Sequence, residues 1–196
     1  VKLAKKLVLA STSPRRQILL RLLGVPFEVR ESGVPEDHDP TDRPENIVRT
    51  LAIAKARAVA AREANALVVG ADTIVVLGTR ILGKPKDAED AESMLRSLSG
   101  ARHTVHTGFA IVDRPSDRVH ADVVSTDVEF RELGEEEIRS YVASGSPMDK
   151  AGAYGIQDDF GAVFVRRIEG CFYNVVGFPL SRFYVDLQEF QQQLKD

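Results

Sequence analysis

Apolar positions in this chain come in short bursts whose period changes along the sequence. Leu7–Ala10 is an unbroken apolar run of the length of a short buried strand. Ser13-Pro14 then starts a helix, because serine is a favoured N-cap and proline is tolerated at the first helical position. Ile18, Leu19, Leu22 and Leu23 are read as its apolar face and Gly24 as its end. Phe27–Arg30 predicts a second strand, and the acidic, proline-bearing Ser32–Asp42 a loop. Pro44–Ala64 predicts a long helix with Val48, Leu51, Ala52 and Val59 as its stripe and Lys55 close to it. Leu67–Ala71 and Thr73–Leu77 read as strand segments on either side of Asp72.

Further on, Asp87 caps a helix over Ala88–Leu98. Val105–Asp113 and Val119–Phe130 predict two longer strands joined by the turn Arg114–Asp117. Glu135–Ala143 predicts a helix and Ser146–Gly155 a loop of small residues. Ala162–Ile168 and Tyr173–Gly177 read as strands, and Ser181–Lys195 as a C-terminal helix. Crossover helices among long strands argue an α/β or mixed α+β fold around a mixed sheet. No repeat, low-complexity tract or linker divides the chain, so residues 1–196 are read as a single domain, with one core or two lobes around a cleft.

Composition narrows the function. No stretch approaches the roughly 18 apolar residues of a membrane span, and the run after Val1–Lys6 is too short for the apolar core of a signal peptide. Cys171 is the lone cysteine, which suits a reducing, cytoplasmic setting. The net charge is −3 and the cations are scattered, which argues against a polynucleotide partner and for a small anion met by a few placed cations. His38, His103, His106 and His120 lack metal-site spacing.

Four features could carry chemistry. In Ser11-Thr12-Ser13-Pro14-Arg15-Arg16 a strand delivers a hydroxyl-rich turn into a helix N-terminus, where amide N–H groups and the helix dipole favour an anion. Ser11 and Ser13 add hydroxyls, and Arg15 and Arg16 add guanidinium groups suited to phosphate. A capped surface helix with solvated arginines is the bland alternative. Asp72 interrupts an apolar strand region, and a buried unpaired carboxylate is costly, so it holds a metal, activates water or caps a turn. Lys55 lies on a helix, while Lys84 and Lys150 lie in small-residue loops that a ligand can approach. Glu36, Asp37 and Asp39 offer a second carboxylate for Mg2+, which takes one or two carboxylates plus substrate phosphates. Together these are the parts that phosphoanhydride hydrolysis needs.

Five segments in order resemble the Maf family of nucleoside triphosphate pyrophosphatases. They are Ala10–Arg16; Gly70-Ala71-Asp72-Thr73 with Gly83-Lys84-Pro85; Leu98-Ser99-Gly100 leading to His103–Gly108; Asp149–Gln157; and Asn174–Leu180. The resemblance implies a fold like that of inosine triphosphate pyrophosphatases, a long mixed sheet flanked by helices with a deep cleft between two lobes. It implies cleavage between the α and β phosphates to a nucleoside monophosphate and pyrophosphate, with a divalent metal cation, Mg2+ or Mn2+. It makes Asp72 the proton acceptor and, with Glu36, a metal ligand. Because an isolated aspartate is a weak base at neutral pH, Asp72 would work on water already acidified by the metal. Lys55, Lys84 and Lys150 would contact phosphates.

Arg15, Thr73 and Gln157 match the dTTP/UTP pyrophosphatase subfamily, and a glutamine amide suits the mixed donor and acceptor edge of uracil or thymine. The likeness extends to modified pyrimidine triphosphates as substrates. Asp158-Asp159-Phe160 departs from the family pattern and would weaken anion binding if it faced the substrate. Two other readings are 7-methyl-GTP hydrolysis and a nucleotide-binding regulator of cell division without turnover. A homodimer is the default assembly.

Overall fold

The computed structural model describes residues 3–37, 39, 41–157 and 160–195. In chain order the elements are β1 Lys6–Leu9, α1 Pro14–Arg21, β2 Phe27–Val29, α2 Pro44–Ala60, β3 Ala66–Leu77, β4 Arg80–Leu82, α3 Ala88–Leu98, β5 Arg102–Arg114, β6 Val119–Phe130, α4 Glu135–Ala143, β7 Val165–Glu169, α5 Phe172–Val176 and α6 Leu180–Gln193. Short 3-10 turns occupy Ser146–Asp149, Ala151–Ala153 and Phe160–Phe164. The sheet runs β2-β1-β3-β5-β6-β7, with β4 attached to β3. It is mixed, as the alternation of strand-like and helix-like segments predicts. β1 is parallel to β2 and β3, whereas β4 is antiparallel to β3 and β7 to β6.

By compactness the residues form two units: Val1–Asp72 with Thr107–Val124 and Gly177–Asp196, and Thr73–His106 with Ser125–Val176. In the first, α2 lays Ala52, Ala56, Val59 and Ala60 against Val8, Ala66, Val68, Ala110 and Val112 of the strands. The small side chains let the helix axis approach the sheet closely. Phe109, Phe178 and Phe183 form a second apolar group there, with ring centroids 4.7 to 6.4 Å apart. In the second unit the buried His103 packs edge to face on Phe130 and Tyr154, and Phe164 and Tyr141 extend the group from Phe130.

Several sequence expectations change. The segments on either side of Asp72 are one strand, β3, so Asp72 caps no turn. Tyr173–Gly177 is not a strand: Phe172–Val176 is helix α5, because Asn174 turns its amide inward to the Val105 carbonyl and the Thr126 hydroxyl. Of Ala162–Ile168 only the second half is extended, in β7, after a 3-10 turn. Helix α1 buries only part of the face expected: of Ile18, Leu19, Leu22 and Leu23, Leu19 is buried and Leu23 half-buried. Leu19 and Leu20 are inside, whereas Ile18 and Leu22 are 55% and 61% exposed. The inward face is Arg16, Leu19, Leu20 and Leu23, spaced as one helical stripe, so the rotation that buries the leucines also turns Arg16 inward. Strand β4 has no counterpart in the sequence reading.

Candidate active site

In the first unit the Ser11–Arg16 turn, the acidic loop and Asp72 converge. Lys55 occupies a core position of α2, in line with Val48, Leu51, Ala52 and Val59. Only 5% of it is exposed, as is 5% of Asp72. Its Nζ donates to Asp72 Oδ1 at 2.6 Å and to Glu36 Oε1 at 2.8 Å. The pairing answers the question that a carboxylate in an apolar strand raises: each buried charge is the other's counter-ion. Glu36 reaches the same ammonium from the exposed loop, its side chain half exposed.

Gly70 makes this convergence possible. A Cβ there would stand 2.3 Å from the Ala52 carbonyl oxygen and 2.6 Å from the Ala56 amide nitrogen. At Gly108 of β5 a Cβ would lie 2.5 Å from the Val48 carbonyl oxygen. These two glycines let β3 and β5 touch the α2 backbone, and Lys55 then meets Asp72 two residues along from Gly70.

The turn before α1 is held by its own serines. Ser11 Oγ accepts from the Ser13 N–H at 3.2 Å and from Arg16 Nη1 at 3.5 Å, and Ser13 Oγ accepts from the Arg16 N–H at 3.5 Å. Two of the amides that the sequence reading offers to an anion are therefore engaged within the turn. Arg16 Nε donates to the Gly177 carbonyl at 3.0 Å. Burial pushes the Arg16 guanidinium down from its ordinary value, Asp72 and Glu36 oppose that, and Arg15 adds to it. An arginine has ample margin to stay charged. Arg15 is half-buried beside it. Gly177 lies in one of the family-like segments, but nothing local in the sequence signals its carbonyl as the partner of Arg16.

Thr73, Lys84, Lys150 and Gln157 belong to the second unit. Thr73 is half-buried on β3 and Lys84 is exposed in the loop after β4. The Gly152 N–H donates to the Gly83 carbonyl at 3.0 Å, which joins the loops that carry Lys84 and Lys150. Lys150 is buried, its Nζ donating to the Ser146 carbonyl at 2.5 Å and to Asp149 Oδ1 at 2.9 Å. Both side-chain amide atoms of Gln157 are buried without a hydrogen-bond partner among the described residues. Asp158, Asp159 and His38 lie outside the described residues.

The donor set fits a hard divalent cation. Two carboxylates, Glu36 and Asp72, already converge on one positive charge. Mg2+ takes one or two carboxylates and completes its shell with phosphate oxygens. Among the described residues no group of three or more His, Cys, Asp or Glu side chains is placed to hold a metal.

Two predictions follow from these buried charges. Lys55→Met leaves Asp72 without its buried counter-ion and should cost about 3 kcal/mol of stability. Urea unfolding without divalent metal checks it, and the pair of changes Lys55→Met and Asp72→Asn should recover most of the loss. His103 behaves differently: burial pushes its imidazole down to about 4, outweighing the attraction of Asp127. An unfolded histidine titrates near ~6.5. Between those values the unfolded chain binds a proton that the folded chain refuses, so stability is complete above about pH 6.5 and falls toward about pH 4. The loss is on the order of 3 kcal/mol. Urea unfolding against pH should show that slope, flattened in His103→Gln.

Residues 6–190 match the family model described as Maf-like protein. The chain is 50% identical over 188 residues to a dTTP/UTP pyrophosphatase of Salinibacter ruber, covering 96% of this chain and 92% of that protein. It is 49% identical to dTTP/UTP pyrophosphatases of Pelotomaculum thermopropionicum and Bacillus cereus, covering 95% of this chain and 97% and 90% of those proteins. A solved structure, the Staphylococcus aureus Ham1 protein, matches 64% of this chain and 72% of its own at 20% identity, with a TM-score of 0.43. On the match of the family model and the identity to these relatives, the chain belongs to the Maf family.

Proposed function

We propose that this protein hydrolyses nucleoside triphosphates, dTTP and UTP foremost and modified pyrimidine triphosphates with them, to the nucleoside monophosphate and pyrophosphate. The observation that carries the reading is the buried Asp72 carboxylate, fixed by Lys55 and joined by Glu36, in a chain half identical to dTTP/UTP pyrophosphatases. The whole chain, residues 1–196, acts as one functional domain.

In the reaction a water oxygen bonds to the α phosphorus, the bridging bond to the β phosphate breaks, and pyrophosphate leaves. Asp72 takes the proton of the attacking water. Lys55 fixes the orientation of that carboxylate and offsets its charge. Arg16, steered by the Gly177 carbonyl, supplies a fixed cation for the triphosphate, with Ser11, Ser13, Lys84 and Lys150 as further contacts. Arg15, Thr73 and Gln157 set the choice of base. Glu36 and Asp72 would hold a Mg2+ or Mn2+ ion, which when bound neutralises charge on the leaving pyrophosphate and acidifies water.

A reducing, cytoplasmic setting fits the free Cys171. Among the described residues no helix is long and apolar enough to cross a membrane. The reading takes the chain as a homodimer, the commonest closed assembly, which sedimentation tests. Product analysis tests the reaction itself: dTTP and UTP should yield the monophosphate and pyrophosphate. Release of diphosphate and orthophosphate would place the cleavage at the wrong bond and refute the reading.

A further inference from the structure

The residues just before Gln157 are tied down by two aromatic hydroxyls. The Tyr154 hydroxyl lies 2.9 Å from His103 Nε2, and both residues are buried. The next residue, Gly155, donates its N–H to the Tyr141 hydroxyl at 3.2 Å. One residue before this pair, the fully buried Ala153 has a φ of 59°, a left-handed conformation that strains a non-glycine residue and persists only where its surroundings impose it. The rings themselves are locked: Tyr154 packs on Phe130 at 4.7 Å and Tyr141 on Phe164 at 5.1 Å. At the end of this braced segment stands the Gln157 amide, whose oxygen and nitrogen are both buried and lack a partner among the described residues. Leaving a buried amide unpaired is costly, so such a group calls for a hydrogen-bonding partner.

We propose that the Tyr154–His103 and Tyr141–Gly155 hydrogen bonds are a positioning device that fixes where the Gln157 amide stands and thereby makes the enzyme select pyrimidine over purine triphosphates. The inference rests on the dTTP/UTP reading above. Uracil and thymine present a carbonyl acceptor, O4, beside an N–H donor, N3. Guanine presents the same pair, O6 beside N1–H. A glutamine amide can serve either pattern, so its chemistry alone does not separate the bases. They differ in how far that edge lies from the sugar, since the second ring of a purine carries it outward. Selection therefore depends on an amide held at one depth, and the backbone of residues 153–157 sets that depth. Tyr141 and His103 act through Gln157 and are positioning residues.

Tyr141→Phe and Tyr154→Phe each remove one hydroxyl and keep the ring. Three readouts are needed: kcat/KM for dTTP and for dGTP, amide deuterium exchange over residues 153–157, and thermal melting. The expected result is faster exchange in that segment and a fall of about tenfold in the preference for dTTP over dGTP, within the range that pocket fit alone supplies. A variant that merely loses stability would lower both kcat/KM values alike and keep the wild-type ratio, which would overturn the proposal. Unchanged exchange would overturn it too, since the bonds would then not hold the segment. A wild-type protein without preference for dTTP would sink the substrate reading itself. A wild-type preference that both variants keep would sink the positioning role alone.

Discussion

Asp72→Asn should lower turnover of dTTP and UTP by about 10²- to 10⁴-fold, the usual contribution of a positioned general base. The substitution keeps the size and shape of the side chain and one oxygen toward Lys55, but removes the negative charge and the capacity to accept a proton. The fold should survive, because Lys55 keeps Glu36 at 2.8 Å as a carboxylate partner. Pyrophosphate release, with circular dichroism as the check on folding, measures both halves of the expectation. A folded Asp72→Asn protein with wild-type turnover would remove Asp72 from the mechanism and leave Lys55 and Glu36 as a structural ion pair.

Gly70→Ala should be a severely damaging single-methyl change. The added Cβ would stand 2.3 and 2.6 Å from backbone atoms of α2, and no side chain can move aside to relieve it. Overpacking a core usually costs about 1–3 kcal/mol. A clash with two backbone atoms of one helix puts the expected loss at about 4 kcal/mol or more, the range reserved for exceptional sites. The helix must move away from β3, and Lys55 moves with it. Activity should therefore fall even where folded protein is recovered at low temperature. Urea midpoints of Gly70→Ala and wild type test the first statement, and kcat at that temperature the second. A stability loss under about 1 kcal/mol would show that α2 is not pressed on β3 as described.

Much of the frame was legible because local signals and tertiary packing agree. Asp87 caps α3 through the Asp90 N–H, as its position before an amphipathic run implies. Helix α4 matches its expected bounds, Glu135–Ala143. Agreement broke down where a distant partner decides. Phe172–Val176 has strand-like composition, yet Thr126 and Val105 claim Asn174 and coil it into helix. Reading Ile18, Leu19, Leu22 and Leu23 as the apolar face of α1 takes in two exposed positions, Ile18 and Leu22, and the inward stripe includes the half-buried Arg16.

The site divides in the same way. Asp72 was conspicuous in the sequence as a carboxylate in an apolar strand, and Lys55 as a cation beside an apolar stripe. That they neutralise each other across 17 residues depends on how closely β3 meets α2, which a glycine codes only once the helix is known to lie there. The hydroxyl of Tyr154 and the ring of His103, 51 residues apart, carry no local signal of their pairing. Gln157 was legible only through resemblance, because a glutamine in a loop is ordinary until its amide is seen to be buried and unmatched.

Steady-state pyrophosphate release with Mg2+ or Mn2+ decides the choice of substrate. Side by side, dTTP and UTP should be turned over with kcat/KM well above that for 7-methyl-GTP. No pyrophosphate from dTTP or UTP, or a preference for 7-methyl-GTP, would contradict the account.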